Sequence, residues 1–294
     1  MQWKADWSLR GRMLLTMVLL GVLYVVFMAV LWTFTQSLIL VVVLLGVFSL
    51  GQLLYSDKLA LRSLGASEVD PSEYPGLHQT IERLAQQADL PKPTVAVAES
   101  GTPNAFATGR SQDSATVCVT TGLLDTLDSD ELEGVLAHEL AHVKNRDVIV
   151  MTIASILSTI AFMIVRWGWL FSGGGGDGGD GGGGIGIFGA ILVSLVVWAV
   201  SFLLIRALSR YREYAADRGA AVITGDPAAL ASALESIDSD MQATPSEDLR
   251  EQAEMNAFFI IPIDKGFIGR IASTHPSTEK RIEKLRDLQR ELET

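Results

Sequence analysis

The segment VLAHELAHVKNRD at residues 135–147 carries two of the four histidines in this chain, four positions apart, with a glutamate directly after the first. The preceding residues, LDSDELEG, offer an Asp or Ser cap followed by acidic residues, which predicts the start of a helix. Residues four apart on a helix lie about 40° apart around its axis. His138 and His142 therefore project from one face and can bind one metal ion, with Glu139 beside them.

The HExxH pattern is typical of zinc hydrolases. Two imidazoles and a third protein ligand hold Zn²⁺, and water takes the remaining tetrahedral position. Zinc lowers the pKa of that water to about 7, and the glutamate accepts its proton during attack on a carbonyl. Because histidine is rare in this chain, chance explains the pattern poorly. We predict one zinc ion per chain.

The third ligand has to come from another part of the chain. In SRYREYAADRGA at residues 209–220, Glu213 and Asp217 are again four apart and share a helix face. One could bind the metal while the other hydrogen-bonds a ligand histidine from behind. Taken alone, the pair would more often be two ordinary solvated helix acids.

Composition indicates a membrane protein. Hydrophobic residues make up 49% of the chain and charged residues only 19%, and the mean hydropathy is +0.31. A membrane-spanning helix needs roughly 20 apolar residues. We predict four such spans in two hairpins, with a Gly/Asp-rich connection at 172–184, and place them at residues 13–32, 37–55, 148–169 and 185–205.

The distribution of Lys and Arg predicts the orientation of these spans. Basic residues lie before the first and third spans and after the second and fourth, so these flanks belong in the cytoplasm. Both termini and the region between the hairpins are then cytoplasmic, and the protein is a multi-pass protein of the cell membrane. The first apolar segment lacks a small-residue cleavage site and is predicted to be a retained anchor.

Two further features restrict the function. Cys118 is the single cysteine, which excludes an intramolecular disulfide and fits a reducing compartment. The net charge of −11 argues against nucleic acid as a partner, since that would call for a basic face. The lipid bilayer, and not nucleic acid, is therefore the partner that composition predicts.

The polar segments predict a mixed helical domain. Helical spacing is clear at residues 72–89, while TVAVAES, NAFATG and ATVCVTTG predict short strands of a small antiparallel sheet. Residues 209–223 continue as helix, another helix starts at Pro227, and HPSTEKRIEKLRDLQRELE predicts a surface helix that closes the domain.

Together these features resemble the HtpX-like branch of the M48 zinc metallopeptidases, which are membrane-embedded gluzincins. The resemblance covers essentially the whole length: two N-terminal apolar segments, HELAHVKNRD at 138–147, a second apolar pair, SRYREYAAD at 209–217 and THPSTEKRI at 274–282. HExxH alone marks many zinc hydrolases, but this set in this order is highly specific.

The resemblance implies the fold and its division. We expect a mainly α membrane protein with four transmembrane helices in two hairpins, plus a cytoplasmic zincin-like catalytic domain with a small antiparallel β-sheet. The N-terminal hairpin would occupy 1–57 and the second hairpin 148–207. The two halves of the catalytic domain would occupy 58–147 and 208–294.

The resemblance also implies the site. His138, His142 and Glu213 would bind zinc, Glu139 would be the catalytic base, and Asp217 would support a ligand. NAFATG would be an edge strand over which an extended substrate adds, with backbone contacts at Asn104 and Ala105. Members of this family are implicated in membrane-protein quality control, so the expected substrates are misfolded or damaged membrane proteins.

His275 precedes Pro276 in the turn that the resemblance places near the zinc. It could be a fourth zinc ligand or a donor to the oxyanion of the tetrahedral intermediate, with Arg281 helping to position it. A surface histidine before a capped helix is the simplest alternative. A catalytic zinc needs an open position, so we favour the oxyanion role for His275.

Two other classes of function fit the sequence less well. An intramembrane zinc protease would carry HExxH inside a span, whereas charged residues crowd both sides of this segment. They are Asp128, Asp130, Glu131 and Glu133 upstream and Lys144, Arg146 and Asp147 downstream. A silent membrane scaffold that keeps the metal only for folding would have no use for Glu139.

Overall fold

The computed structural model describes residues 7–35, 47, 51, 61–167, 182–243 and 275–293. The chain divides into two compact units. One unit comprises Trp7–Leu54 and Val150–Leu208, and the other comprises Met1–Asp6, Tyr55–Ile149 and Ser209–Thr294.

The first unit consists of long apolar helices. These are α1 (Trp7–Thr35), most of α5 (Asp147–Trp167) and the first part of α6 (Gly182–Thr224). They contain three candidate membrane spans, at Trp7–Val30, Asp147–Val165 and Gly189–Thr224. The predicted span at 37–55 lies outside the described residues, so three of the four predicted spans can be compared with the structure.

Within this unit the helices pack on one side and expose apolar side chains on the other. Phe27, Ala161 and Val197 form a buried cluster, and the Tyr24 hydroxyl donates to the carbonyl of Ala154 at 2.6 Å. Large apolar side chains on each helix remain exposed, among them Leu14, Val25, Ile153, Leu192 and Leu203. An exposed apolar belt of this kind is suited to lipid rather than water.

The second unit contains a four-stranded sheet of mixed direction. Its strands are β1 (Ala66–Glu68), β2 (Thr94–Ala98), β3 (Ala105–Thr108) and β4 (Thr116–Thr120), in the order β1-β2-β4-β3. β2 and β4 are parallel, while the β1–β2 and β3–β4 pairs are antiparallel. The prediction of a purely antiparallel sheet was wrong, because β4 inserts between β2 and β3 instead of following the chain order.

Helices cover this sheet and supply most of the core. They are α2 (Pro75–Gln87), α3 (Thr121–Thr126), α4 (Ser129–Asn145), α7 (Pro227–Ala243) and α8 (Thr278–Glu293). The last helix was predicted to be a surface helix. Its outer face is exposed, yet Leu285 joins the main apolar core and Arg281 is 1% exposed.

Helix α4 is fixed at both ends by its own sequence. The Asp128 carboxylate accepts hydrogen bonds from the backbone N–H groups of Asp130 and Glu131, and the backbone N–H of Asp128 donates to the Glu131 carboxylate. At the other end, Arg146 adopts a left-handed conformation with φ of 56°, which ends α4 and starts α5 in a new direction.

Candidate active site

Two helices bring together the three predicted metal ligands. His138 and His142 lie on α4 and Glu213 lies on α6. His138 Nε2 is 3.1 Å from His142 Nε2 and 3.5 Å from Glu213 Oε2, and His142 Nε2 is 3.5 Å from Glu213 Oε1. These side chains form a group of potential metal ligands whose donor atoms all lie within 4.8 Å of one another.

The separations between these atoms fit a zinc ion. A tetrahedral ion with bonds of about 2.0–2.1 Å holds its ligand atoms roughly 3.4 Å apart. The three measured separations lie on either side of that value. Two imidazoles and one carboxylate are also the donors that catalytic zinc uses while it keeps one position open.

His138 is supported from behind by a buried ion pair. Its Nδ1 lies 3.1 Å from Asp217 Oδ1, and Arg281 binds the same carboxylate through Nη2 at 2.6 Å and Nε at 3.0 Å. Burial would lower the pKa of His138, yet the carboxylates of Asp217 and Glu213 raise it to about 9. The pocket therefore attracts positive charge, as a metal-binding site must.

Glu139 lies next to the ligands and against strand β3. The side chain is buried, and burial raises the pKa of its carboxyl above the usual range. The backbone N–H of Ala107 donates to this carboxylate. A pKa shifted upward brings a carboxylate closer to the range in which a general base works best.

His275 lies at the edge of the same cluster. Its Nδ1 is 2.9 Å from Glu213 Oε2, and its side chain is only 10% exposed. The structure therefore places His275 beside a candidate ligand, and an isolated surface histidine is the wrong description.

A known protein family contains this set of site residues. The sequence profile of Peptidase family M48 matches residues 71–289, which include every residue of the cluster. The chain belongs to peptidase family M48.

Full-length relatives extend this assignment. Protease HtpX homolog 2 of Methanosarcina mazei is 56% identical over 99% of both chains, and Protease HtpX homolog 1 of Streptomyces coelicolor is 48% identical over 99% of this chain and 96% of its own. Protease HtpX homolog of Moorella thermoacetica is 50% identical over 98% of this chain and 97% of its own. The prediction of an HtpX-like M48 protease is confirmed, and with its apolar helices this M48 chain is a membrane metalloprotease.

A solved structure shares the fold of this M48 peptidase. The crystal structure of S. mikatae Ste24p aligns with a TM-score of 0.57 at 20% identity, covering 95% of this chain and 66% of that chain. At this identity the likeness extends to the fold alone.

Strand β3 of the M48 peptidase is one of the two edge strands of the described sheet. The N–H of Asn104 donates to Thr120 Oγ1 at 2.8 Å, and the carbonyl of Asn104 accepts from the N–H of Thr120 at 2.9 Å. Because paired and unpaired positions alternate along antiparallel strands, Ala105 and Ala107 direct their backbone groups toward the open edge. The N–H and carbonyl of Asn104 are thus both bonded to Thr120, and the substrate contacts at Asn104 and Ala105 stay predictions.

A small open cavity of about 20 Å³ adjoins His142. It lies where β3 ends and α4 turns into α5, and its lining includes Ala107, Thr108, Arg110, His142, Val143 and Arg146. Apolar groups and the two arginines Arg110 and Arg146 line this cavity at the end of strand β3.

Sequence reasoning missed the partners of His142. Its Nδ1 lies 2.6 Å from Asp147 Oδ2, and Asp147 Oδ1 lies 2.9 Å from Arg212 Nε. Five residues along a continuous helix correspond to about 140° around the axis, which would point Asp147 away from His142. The left-handed Arg146 redirects the chain between them. The sequence signal for this contact was Asp147 itself, the last residue of HELAHVKNRD.

Proposed function

We propose that this M48 peptidase hydrolyses peptide bonds with one zinc ion bound by His138, His142 and Glu213. The observation that carries the proposal is the convergence of two imidazole nitrogens and one carboxylate at separations suited to zinc, with Glu139 beside them. A metal kept only for folding would gain nothing from a buried carboxylate at that position.

The residues of the chain divide the chemistry between them. Zinc, when bound, polarises the scissile carbonyl and lowers the pKa of a water molecule. Glu139 accepts a proton from the attacking water and later gives it to the departing amine. His275 donates to the carbonyl oxygen as that atom gains negative charge. Asp217 holds His138 in the orientation that directs Nε2 to the metal.

We place the substrate along the open edge of β3. An extended peptide would pair with the outward backbone groups of Ala105 and with the carbonyl of Ala107, whose N–H is already bonded to Glu139. The peptide backbone would then pass the catalytic carboxylate. The small cavity beside His142 would receive a small side chain of the bound peptide.

The proposal is tested on the full chain purified in detergent. Casein and a membrane-protein substrate should be cleaved, cleavage should stop when a zinc chelator removes the metal, and added Zn²⁺ should restore it. Cleavage that continues at zero bound metal would refute the zinc mechanism.

The cellular role is a further part of the proposal. The enzyme would act on misfolded or damaged membrane proteins from the cytoplasmic side of the cell membrane. Its zinc residues would come from two cytoplasmic segments, 58–147 and 208–294, with the hairpins at 1–57 and 148–207 as anchors. Support comes from the Lys and Arg distribution at the ends of the apolar segments.

The orientation makes a prediction for thiol labelling. In intact cells, a membrane-impermeant thiol reagent should label Gly178→Cys, which lies in the outer connection, and should not label Arg290→Cys. The Arg290 side chain is 75% exposed, so it should react once the membrane is opened. The natural Cys118 cannot serve as the inner reporter, because it is fully buried and burial raises its pKa to about 12. Labelling of Arg290→Cys but not Gly178→Cys in intact cells would show that the orientation is the reverse of the one proposed.

His275→Ala should keep its zinc and its fold while kcat falls by about 10²–10³, the usual effect of losing one oxyanion donor. Zinc content and kcat are measured on the same preparation. The matched control is His78→Gln, since His78 lies on α2 and its Nε2 bonds the carbonyl of Val69. Zinc loss in His275→Ala would assign His275 to metal binding through Glu213, and unchanged cleavage would remove it from the site.

A further inference from the structure

The ligand His142 has a buried partner of its own. Asp147 is 3% exposed, and its two carboxylate oxygens are divided between His142 Nδ1 at 2.6 Å and Arg212 Nε at 2.9 Å. A carboxylate held on both oxygens has little freedom to turn. The imidazole of His142 is therefore fixed in one orientation.

The same contact fixes the tautomer of the ring. An ionised carboxylate only accepts hydrogen bonds, so His142 Nδ1 keeps its proton and its N–H donates a hydrogen bond to Asp147. The lone pair of Nε2 is then left for the metal, on the side where His138 and Glu213 lie. A carboxylate behind the ring also makes the imidazole a stronger donor to a metal.

Arg212 compensates the negative charge of the buried Asp147 carboxylate. A buried carboxylate without a counter-charge is costly, and Arg212, itself buried, supplies that charge. Arg212 directly precedes Glu213 on α6, so one turn of helix provides a metal ligand and also the support of another ligand. The arrangement repeats the series Arg281, Asp217 and His138 on the other side of the metal-binding residues.

From this geometry we infer that Asp147 and Arg212 are positioning residues, which set the zinc affinity and the donor strength of His142 without touching substrate. The inference rests on the proposed zinc site. The competing explanation is that the ion pair only stabilises the fold.

A charge-neutral double variant separates the two explanations. Zn²⁺ affinity is measured by chelator competition, and thermal unfolding is measured on the metal-free full chain. Asp147→Asn should bind Zn²⁺ about 10- to 100-fold more weakly than wild type. It also leaves Arg212 buried without its counter-charge and should unfold at a lower temperature. Asp147→Asn combined with Arg212→Gln removes both charges and keeps hydrogen-bonding groups, so it should regain most of the thermal stability while its zinc affinity stays low.

Recovery of wild-type zinc affinity in the double variant, or wild-type affinity in Asp147→Asn alone, would overturn the inference. The matched control is Glu133→Gln, which removes a carboxylate from α4 in the exposed pair with Arg83 and should leave zinc affinity unchanged. A wild-type protein that binds no Zn²⁺ would refute the proposed zinc site itself, a result distinct from normal binding by the variants.

Discussion

Replacing Glu139 with glutamine should remove nearly all peptide-bond cleavage while the protein keeps one zinc ion per chain. Glutamine has the size of glutamate and can still accept the hydrogen bond from the Ala107 N–H, so the position of the side chain is retained. An amide cannot take a proton from the attacking water. Since general-base catalysis typically contributes 10²–10⁴-fold, we expect kcat to fall by about that factor.

The experiment measures cleavage of casein and bound zinc on the same purified protein. Glu133→Gln is the matched control, because it makes the same chemical change on the same helix at an exposed ion pair. It should retain both cleavage and zinc. Near-normal cleavage in Glu139→Gln would assign the base to another residue, and zinc loss would mean that Glu139 contributes to metal binding.

The second large effect is expected for Glu213→Ala, which should lose zinc as thoroughly as His142→Ala and fall to background cleavage. The change leaves two imidazoles where three donors converge. A catalytic zinc site uses three protein ligands, so two imidazoles alone are too few. The measurement is zinc per chain after dialysis against a weak chelator, together with unfolding of the metal-free protein to establish that it is folded.

A graded comparison with Asp217 sharpens this result. Asp217 supports His138 from behind, so its loss should weaken zinc binding by only about 10- to 100-fold. Both Asp217→Asn and Asp217→Ala remove the counter-charge of Arg281, but asparagine keeps the size of the side chain and alanine would also leave an unfilled space, so we choose Asp217→Asn. Full zinc occupancy in Glu213→Ala would move the ligand role to another residue, and complete loss in Asp217→Asn would make Asp217 more than a support.

The helical repeat made the central cluster predictable from sequence. Spacing of four residues places His138 and His142 on one face, and the same spacing relates Glu213 to Asp217. Whether Glu213 or Asp217 faces the metal depends on how α6 is rotated, which local periodicity does not encode. The resemblance supplied that choice, and in the structure the Glu213 oxygens lie 3.5 Å from the two Nε2 atoms.

Other features depend on tertiary structure and could not be predicted. The parallel pairing of β2 with β4 follows from the insertion of β4 between strands that precede it in sequence. The contact of Asp147 with His142 depends on one left-handed residue, Arg146, a conformation that arginine rarely adopts. The 3-residue strand β1 has too short a pattern to be recognised.

The open edge of β3 has a consequence for how such an enzyme would choose its targets. A peptide that pairs with the backbone at Ala105 and Ala107 must first release the hydrogen bonds it makes within its own protein. The rate of cleavage then depends on how often a segment of the target opens, and each 1.4 kcal/mol of local stability slows it about tenfold. The choice of target would then depend on the local stability of its fold rather than on its amino-acid sequence. Well-folded proteins in the same membrane would be cleaved slowly because they rarely open.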